Sequence, residues 1–170
     1  MSDFTLIVFA HAIHVMAGVI WAGTTFLLAL VIMPLMLRHG AEGAGRWLGM
    51  AARRAGLFSL ISALLTVVSG IYLFATLHRH DHSASELVLK TGAVAALLAL
   101  AVGLLVGRPA GQRLAQLHQA PQDGAAPSAE GVQQLASLQR RVIVSSRVAA
   151  GLLGVSVLAM GVFRYASALG

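Results

Sequence analysis

The chain has 170 residues, of which 58% are hydrophobic and only 11% are charged. Soluble domains carry roughly 25% charged residues, so this composition excludes an ordinary soluble protein and indicates an integral membrane protein. The net charge of +6 does not predict nucleic-acid binding, because the arginines lie between apolar runs rather than along one amphipathic face. The absence of cysteine excludes disulfides and thiolate metal sites, which leaves His, Met, Lys and carboxylates as ligands for a metal or cofactor.

Four apolar segments are long enough to cross a bilayer, since a spanning helix needs about 20 largely apolar residues. Their sequences lack the alternation of a β-strand. They cover residues 4–37, 55–77, 87–107 and 142–167. The sequence therefore predicts an all-α integral membrane four-helix bundle, a single transmembrane domain over residues 1–170 whose immediate partner is the lipid bilayer.

Three local features refine this prediction. The first segment is longer than a bilayer requires, so we expect it to tilt, project or bend near Pro34, where proline removes a backbone donor. Leu, Gln and Arg recur at helical spacing after the third segment and before the fourth, so both helices are expected to extend beyond the membrane. Ser128 is the predicted N-cap of the second extension.

Arginines are concentrated in the connections that follow the first and third segments. The short connection at residues 78–86 has one arginine and two acids. Because cytoplasmic loops carry an excess of Lys and Arg, this distribution predicts that both termini lie on the outer, periplasmic side. The protein is expected to be a multi-pass component of a bacterial inner membrane.

Polar residues in or directly beside all four segments fall at this outer side. His11 and His14 lie in the first segment, Lys90, the single lysine of the chain, lies in the third, and Arg164 lies in the fourth. The connection after the second segment adds His78, His80 and His82. Ionisable residues are costly within a membrane and usually functional, so this shared depth is the strongest functional signal in the sequence.

Spacing places His11, His14, Gly18 and Trp21 on one helical face. Haem iron accepts an imidazole as an axial ligand, and a glycine one turn from the histidine leaves room for a flat group. The alternatives are close helix packing at the glycine and a hydrogen bond between helices at the histidines. Two histidines at i and i+3 point the same way, so they are not both axial ligands of one haem, but they can share one copper ion.

The remaining polar residues also leave more than one interpretation open. His78, His80 and His82 form the tract HRHDH, which resembles short metal-binding tracts or is a solvated loop. Lys90 either extends to the headgroups, or pairs with Glu86 four residues earlier, or faces the bundle and binds an acidic group.

Two stretches resemble a known family. HVMAGVIWAGTTFLLALVIMPLM resembles the first span of the copper resistance protein D family of small four-helix membrane proteins, and ELVLKTGAVAALLALAVGLLVGR resembles their lysine-bearing span. His14 and Lys90 are also similar to residues of the bacterial membrane protoporphyrinogen oxidase family, where a first-span His binds haem b and a third-span Lys is required. The resemblance covers two of the four segments and maps onto His14, Trp21, Gly23 and Lys90. The Leu-Pro-Arg expected after the tryptophan in the oxidases is replaced here by TTFLLALVI, and His11 is extra to the shared pattern.

The leading hypothesis is a protein of redox chemistry or metal handling that binds haem b through His14, with an electron donor or acceptor as partner. Lys90 and Arg164 suit the haem propionates, and His11, Gly18 and Trp21 complete the site. The first alternative is copper transport or resistance through His11, His14 and the histidines of the 78–82 tract. The second is a membrane oxidoreductase similar to the oxidases, with Lys90 as the catalytic residue. The two faces of the first segment also allow a homodimer.

Overall fold

The computed structural model describes residues 3–35, 44–77, 84–119 and 128–166, and these residues are helical almost throughout. No β-strand occurs among them, so the prediction of an all-α protein is confirmed for this part of the chain. The helical elements, in chain order, are Asp3–Leu27, a π-helical turn at Leu28–Ile32 that continues as helix to residue 35, Ala44–Leu77, Ala84–Val102, a second π-helical turn at Gly103–Gly107, Arg108–Gln119 and Ala129–Ala166.

Four stretches of these helices are long and apolar enough to cross a membrane. We name them the first, second, third and fourth spans, and they cover Asp3–Leu35, Gly49–Leu77, Ser85–Leu117 and Ala129–Ala166. The prediction of four long apolar helices is therefore confirmed, and their length and composition suit a multi-pass membrane bundle. The helices are longer than the apolar segments, because helical structure continues into the arginine-bearing flanks of the second, third and fourth spans.

Both π-helical turns come just before a proline. In the first span the turn ends at Ile32 and Pro34 follows; in the third it ends at Gly107 and Pro109 follows. Each turn closes with a backbone hydrogen bond between residues five positions apart. In the first span the N–H of Met33 donates to the carbonyl of Leu28. Because proline lacks an N–H and its ring crowds the preceding turn, a local widening accommodates it. The irregularity expected near Pro34 is present in this form.

The bundle consists of two antiparallel pairs of spans. The first span packs along the second, and the third packs along the fourth, whereas the second and third scarcely touch. In the first pair His14 lies against Gly70. In the second pair Gly92 lies against Ala159, and Gly107 lies against Ser145.

Trp21 joins the two pairs at the centre of the bundle. It is 5% exposed and packs in a cluster to which every span contributes. The other members are mostly alanine: Ala63, Ala96, Ala99, Ala149 and Leu153. Large side chains point outwards instead, as Phe58 does at 65% exposure. This is the arrangement expected in lipid, where small residues let helices approach and large apolar side chains face the acyl chains.

A second cluster holds the helical extensions together. Ala110, Leu138 and Val142 are buried there, with Met33 and Leu114 packed against them. The fourth helix is capped at its start, since the N–H of Gly131 donates to Oγ of Ser128 at 3.2 Å. Both predictions, the extension of the third and fourth helices and the N-cap at Ser128, are confirmed.

These contacts fix the register of the spans and separate two ends of the bundle. Near the termini lies the histidine end, formed by His11, His14, Lys90 and Arg164. At the other end lies the arginine belt, formed by Arg53, Arg54, Arg108, Arg113, Arg140, Arg141 and Arg147. The middle of the belt lies about 27 Å along the bundle axis from the level of His14, at 1.5 Å per residue.

Candidate histidine site

His14 is held against the second span by a hydrogen bond to the backbone. Its Nδ1 lies 2.8 Å from the carbonyl oxygen of Thr66. A carbonyl oxygen only accepts, so Nδ1 carries the proton and donates it. The hydroxyl of Ser69 lies 3.3 Å from the same nitrogen. In the neutral ring this leaves the lone pair on Nε2.

Gly70 makes room for the imidazole ring. A Cβ atom at Gly70 would lie 2.8 Å from Cε1 of His14 and 3.2 Å from Nδ1. Real Cβ atoms do not approach other atoms this closely, so any larger residue at position 70 displaces the ring. The absence of a side chain at Gly70 thus brings the histidine within reach of the Thr66 carbonyl.

The hydroxyl groups beside the ring are satisfied within their own helix. Thr66 Oγ1 donates to the carbonyl of Ser62 at 2.7 Å, and Ser69 Oγ donates to the carbonyl of Leu65. Such bonds to the preceding turn allow hydroxyl side chains to be buried in a membrane helix. The second span therefore offers His14 a polar surface without adding an unsatisfied donor.

Nε2 of His14 has no hydrogen-bond partner in the described part of the chain. Histidines that bind metals almost always donate the other ring N–H to a carbonyl, carboxylate or water, which fixes the tautomer and the ring orientation. The environment of His14 has this form. The lone pair on Nε2 can bind haem iron, and it can equally bind copper.

The other residues of the predicted stripe have different surroundings. His11 is exposed, one turn nearer the N-terminus. The space beside Gly18 is bordered by the second span, because a Cβ atom there would lie 3.6 Å from Cγ2 of Thr66. This is the contact expected from close helix packing. Trp21 lies in the central cluster and contacts the other spans rather than an open cavity.

Lys90 forms an ion pair with Glu86. Its Nζ lies 2.8 Å from Oε1 of Glu86, and the two side chains are 48% and 6% exposed, respectively. Of the three interpretations of Lys90, the pairing at i and i+4 is thus the one seen. The cluster around Trp21 aligns the four spans along the bundle axis. In this alignment Lys90 lies at the same height as His14, and Arg164 lies about one turn nearer the termini. A role of Lys90 in binding substrate or in catalysis stays a prediction.

Three residues of the site were missed by the sequence analysis: Thr66, Ser69 and Gly70. Their signal was the presence of Ser62, Thr66, Ser69 and Gly70 at helical spacing in an otherwise apolar span, which identifies one polar face. His78, His80 and His82 lie outside the described residues. Within the described ranges, no group of three or more His, Cys, Asp or Glu side chains is placed to hold a metal ion.

Comparisons with protein-family models, with curated proteins and with solved structures find no match for this chain. The resemblance to the copper resistance protein D family therefore stays a prediction that depends on the residues quoted for it.

Proposed function

We propose that this protein binds haem b at the histidine end of a four-helix membrane bundle, where Nε2 of His14 would hold the iron. The observation that carries the proposal is the hydrogen bond from Nδ1 of His14 to the Thr66 carbonyl. It orients the ring, leaves the lone pair on Nε2 and raises the basicity of the ligand. Bound haem would supply one-electron redox chemistry, for electron transfer or metal handling.

The remaining residues of the histidine end would assist binding by charge. Lys90, which also pairs with Glu86, is half exposed at the level of His14, and Arg164 lies near the same end of the bundle. Cationic groups at the membrane boundary suit the two propionates of haem b, which stay charged and need positive partners. By the positive-inside rule, this end would face the periplasm of a bacterial inner membrane, where an electron donor or acceptor would meet it.

An absorption spectrum of the detergent-purified protein tests the proposal. Protein from haem-replete cells should show a Soret band, and His14→Ala should abolish it. His11→Ala is the matched comparison, because it removes the same side chain one turn away in the same helix. Since His11 would surround the haem without binding its iron, this variant should keep the band, at most shifted or weakened. A colourless wild-type protein, or a band that survives His14→Ala, would contradict the proposal.

Copper binding is the second candidate, and the spacing of two histidines in the first helix favours it. His11 and His14 stand at i and i+3 in the uninterrupted α-helix Asp3–Leu27, so both imidazoles can reach one ion. Elemental analysis of the same preparations separates the two candidates. Copper without haem, lost in His11→Ala as well as in His14→Ala, would support copper transport or resistance instead.

A further inference from the structure

The arginine belt collects seven exposed guanidinium groups from three of the four spans. Arg53 and Arg54 belong to the second span, Arg108 and Arg113 to the third, and the other three to the fourth. The pairs Gly92–Ala159 and Gly107–Ser145 set the register of the third and fourth spans, and Ala63 in the central cluster sets that of the second. Together they place all seven within about 13 Å along the bundle axis, at 1.5 Å per residue.

This positive charge is not compensated within the described residues. None of the seven arginines forms an ion pair there, and among the described acids the nearest to the belt is Glu130, ten residues before Arg140 or about 15 Å along the helix. The connections at residues 36–43 and 120–127 add two acids and one arginine to this end, so the excess of positive charge persists in the full sequence.

The belt lies where the apolar surface of the bundle ends. Phe58, Leu105 and Val148 lie on the membrane side of the belt or within it and are 65%, 76% and 45% exposed. Beyond the belt the helices expose polar residues such as Gln116 and Gln133. The end of the apolar surface is the depth expected for the headgroup phosphates, and an arginine slightly deeper, such as Arg147, has a side chain long enough to extend to them.

We propose that the arginine belt binds the phosphate groups of anionic lipids, so that the bundle collects such lipids around this end. A planar guanidinium donates two parallel hydrogen bonds to a phosphate, and the negative surface of an anionic leaflet attracts juxtamembrane arginines. The distribution over three spans favours a ring of lipids over one acidic protein, which would contact a single face. This inference does not depend on whether His14 binds haem.

The test is reconstitution of the full chain into nanodiscs of phosphatidylcholine alone or of phosphatidylcholine mixed with phosphatidylglycerol. Lipids that stay bound after extraction into detergent are counted by native mass spectrometry. Phosphatidylglycerol should be retained roughly three- to fivefold above its share of the mixture at low salt, and this enrichment should fall at high salt. Equal retention of the two lipids by the wild-type protein would overturn the inference.

A combined variant identifies the residues responsible. Arg113→Gln, Arg140→Gln and Arg141→Gln together should remove most of the enrichment. Arg113→Lys, Arg140→Lys and Arg141→Lys together should keep much of it, because the charge remains. The matched control leaves the charge of the belt unchanged. Gln112→Ala, Gln133→Ala and Gln134→Ala replace three exposed residues of the same helices, and the enrichment should stay the same. If the control lost the enrichment equally, or the combined variant kept it, the belt would not be the binding surface.

Discussion

The first and second spans meet around a histidine ring, whereas the third and fourth meet around glycine and alanine. In the first pair Nδ1 of His14 donates across the interface to the Thr66 carbonyl, and Gly70 provides the space. In the second pair Gly92 brings the helices so close that a Cβ atom there would lie 2.9 Å from Cβ of Ala159. The buried hydroxyl of Ser145 bonds within its own helix.

The difference shows two ways to hold helices together where no hydrophobic force acts between them. Lipid solvates apolar side chains as well as a neighbouring helix does, so association depends on close packing and on polar contacts. The third and fourth spans use close packing of glycine against alanine and serine. The first and second spans use one polar contact, which orients a side chain whose second nitrogen can bind a ligand.

The largest expected effect is on the tightly packed pair. Gly92→Val should lower the free energy of unfolding by about 2–3 kcal/mol, because the new Cβ meets Ala159 and lies 3.3 Å from the backbone oxygen of Ser156, which cannot rotate away. Thermal or detergent-induced unfolding of the purified protein measures it. The control is Gly161→Val, at a glycine with no atom within 4 Å of an added Cβ. Equal losses in both variants would mean that the pair is not held by close packing.

Substitution of Gly70 is expected to lower the stability less than Gly92→Val does, but to disturb the histidine site more. Gly70→Ala meets a side chain rather than a backbone, so the ring of His14 can swing away at a cost of about 1 kcal/mol, roughly that of the lost hydrogen bond. Histidine nitrogen NMR should show that Nδ1 of His14 loses its hydrogen-bonded proton, and a Soret band, where present, should shift or weaken. Gly56→Ala is the control in the same helix, since no atom lies within 4 Å of the added Cβ. An unchanged His14 signal in Gly70→Ala would refute the statement that Gly70 provides the space for the imidazole ring.

The smallest effect distinguishes the hydroxyls of the two pairs. Ser69→Ala should cost about 0.5 kcal/mol, since its Oγ lies 3.3 Å from Nδ1 of His14, whereas Ser145→Ala should change stability by less. A double-mutant cycle with His14→Ala measures the difference as a coupling energy. Coupling is expected for Ser69 and none for Ser145. Equal couplings would show that Ser69 does not interact with the ring.

Much of the architecture could be predicted from the sequence. Long apolar runs identified the four helices, the spacing of Leu, Gln and Arg identified the extensions, and Ser128 identified a cap. Each of these depends on composition or on residues a few positions apart. The start of the second helix at Ala44 was missed because its first turns lie in the arginine-bearing flank, whose composition does not distinguish a helix from a connection.

The site was predicted only in part. His14 could be singled out, because an imidazole in an apolar run needs a partner. Thr66, Ser69 and Gly70 could not be assigned to it, since many pairings of four helices would bury the same polar face. Gly18 was compatible with a gap for a cofactor and with helix packing, and only the position of Thr66 distinguishes these two interpretations.

The sequence by itself determined that this chain forms a bundle of four membrane helices with histidines and a lysine towards one end and arginines towards the other. Hydropathy and charge act on each helix separately, so they can be recognised from neighbouring residues. Only the tertiary structure decided what His14 contacts, because the acceptor of its Nδ1 proton lies 52 positions away along the chain. That contact exists because the register of two antiparallel helices places a glycine opposite the ring and a carbonyl oxygen within 2.8 Å of its nitrogen.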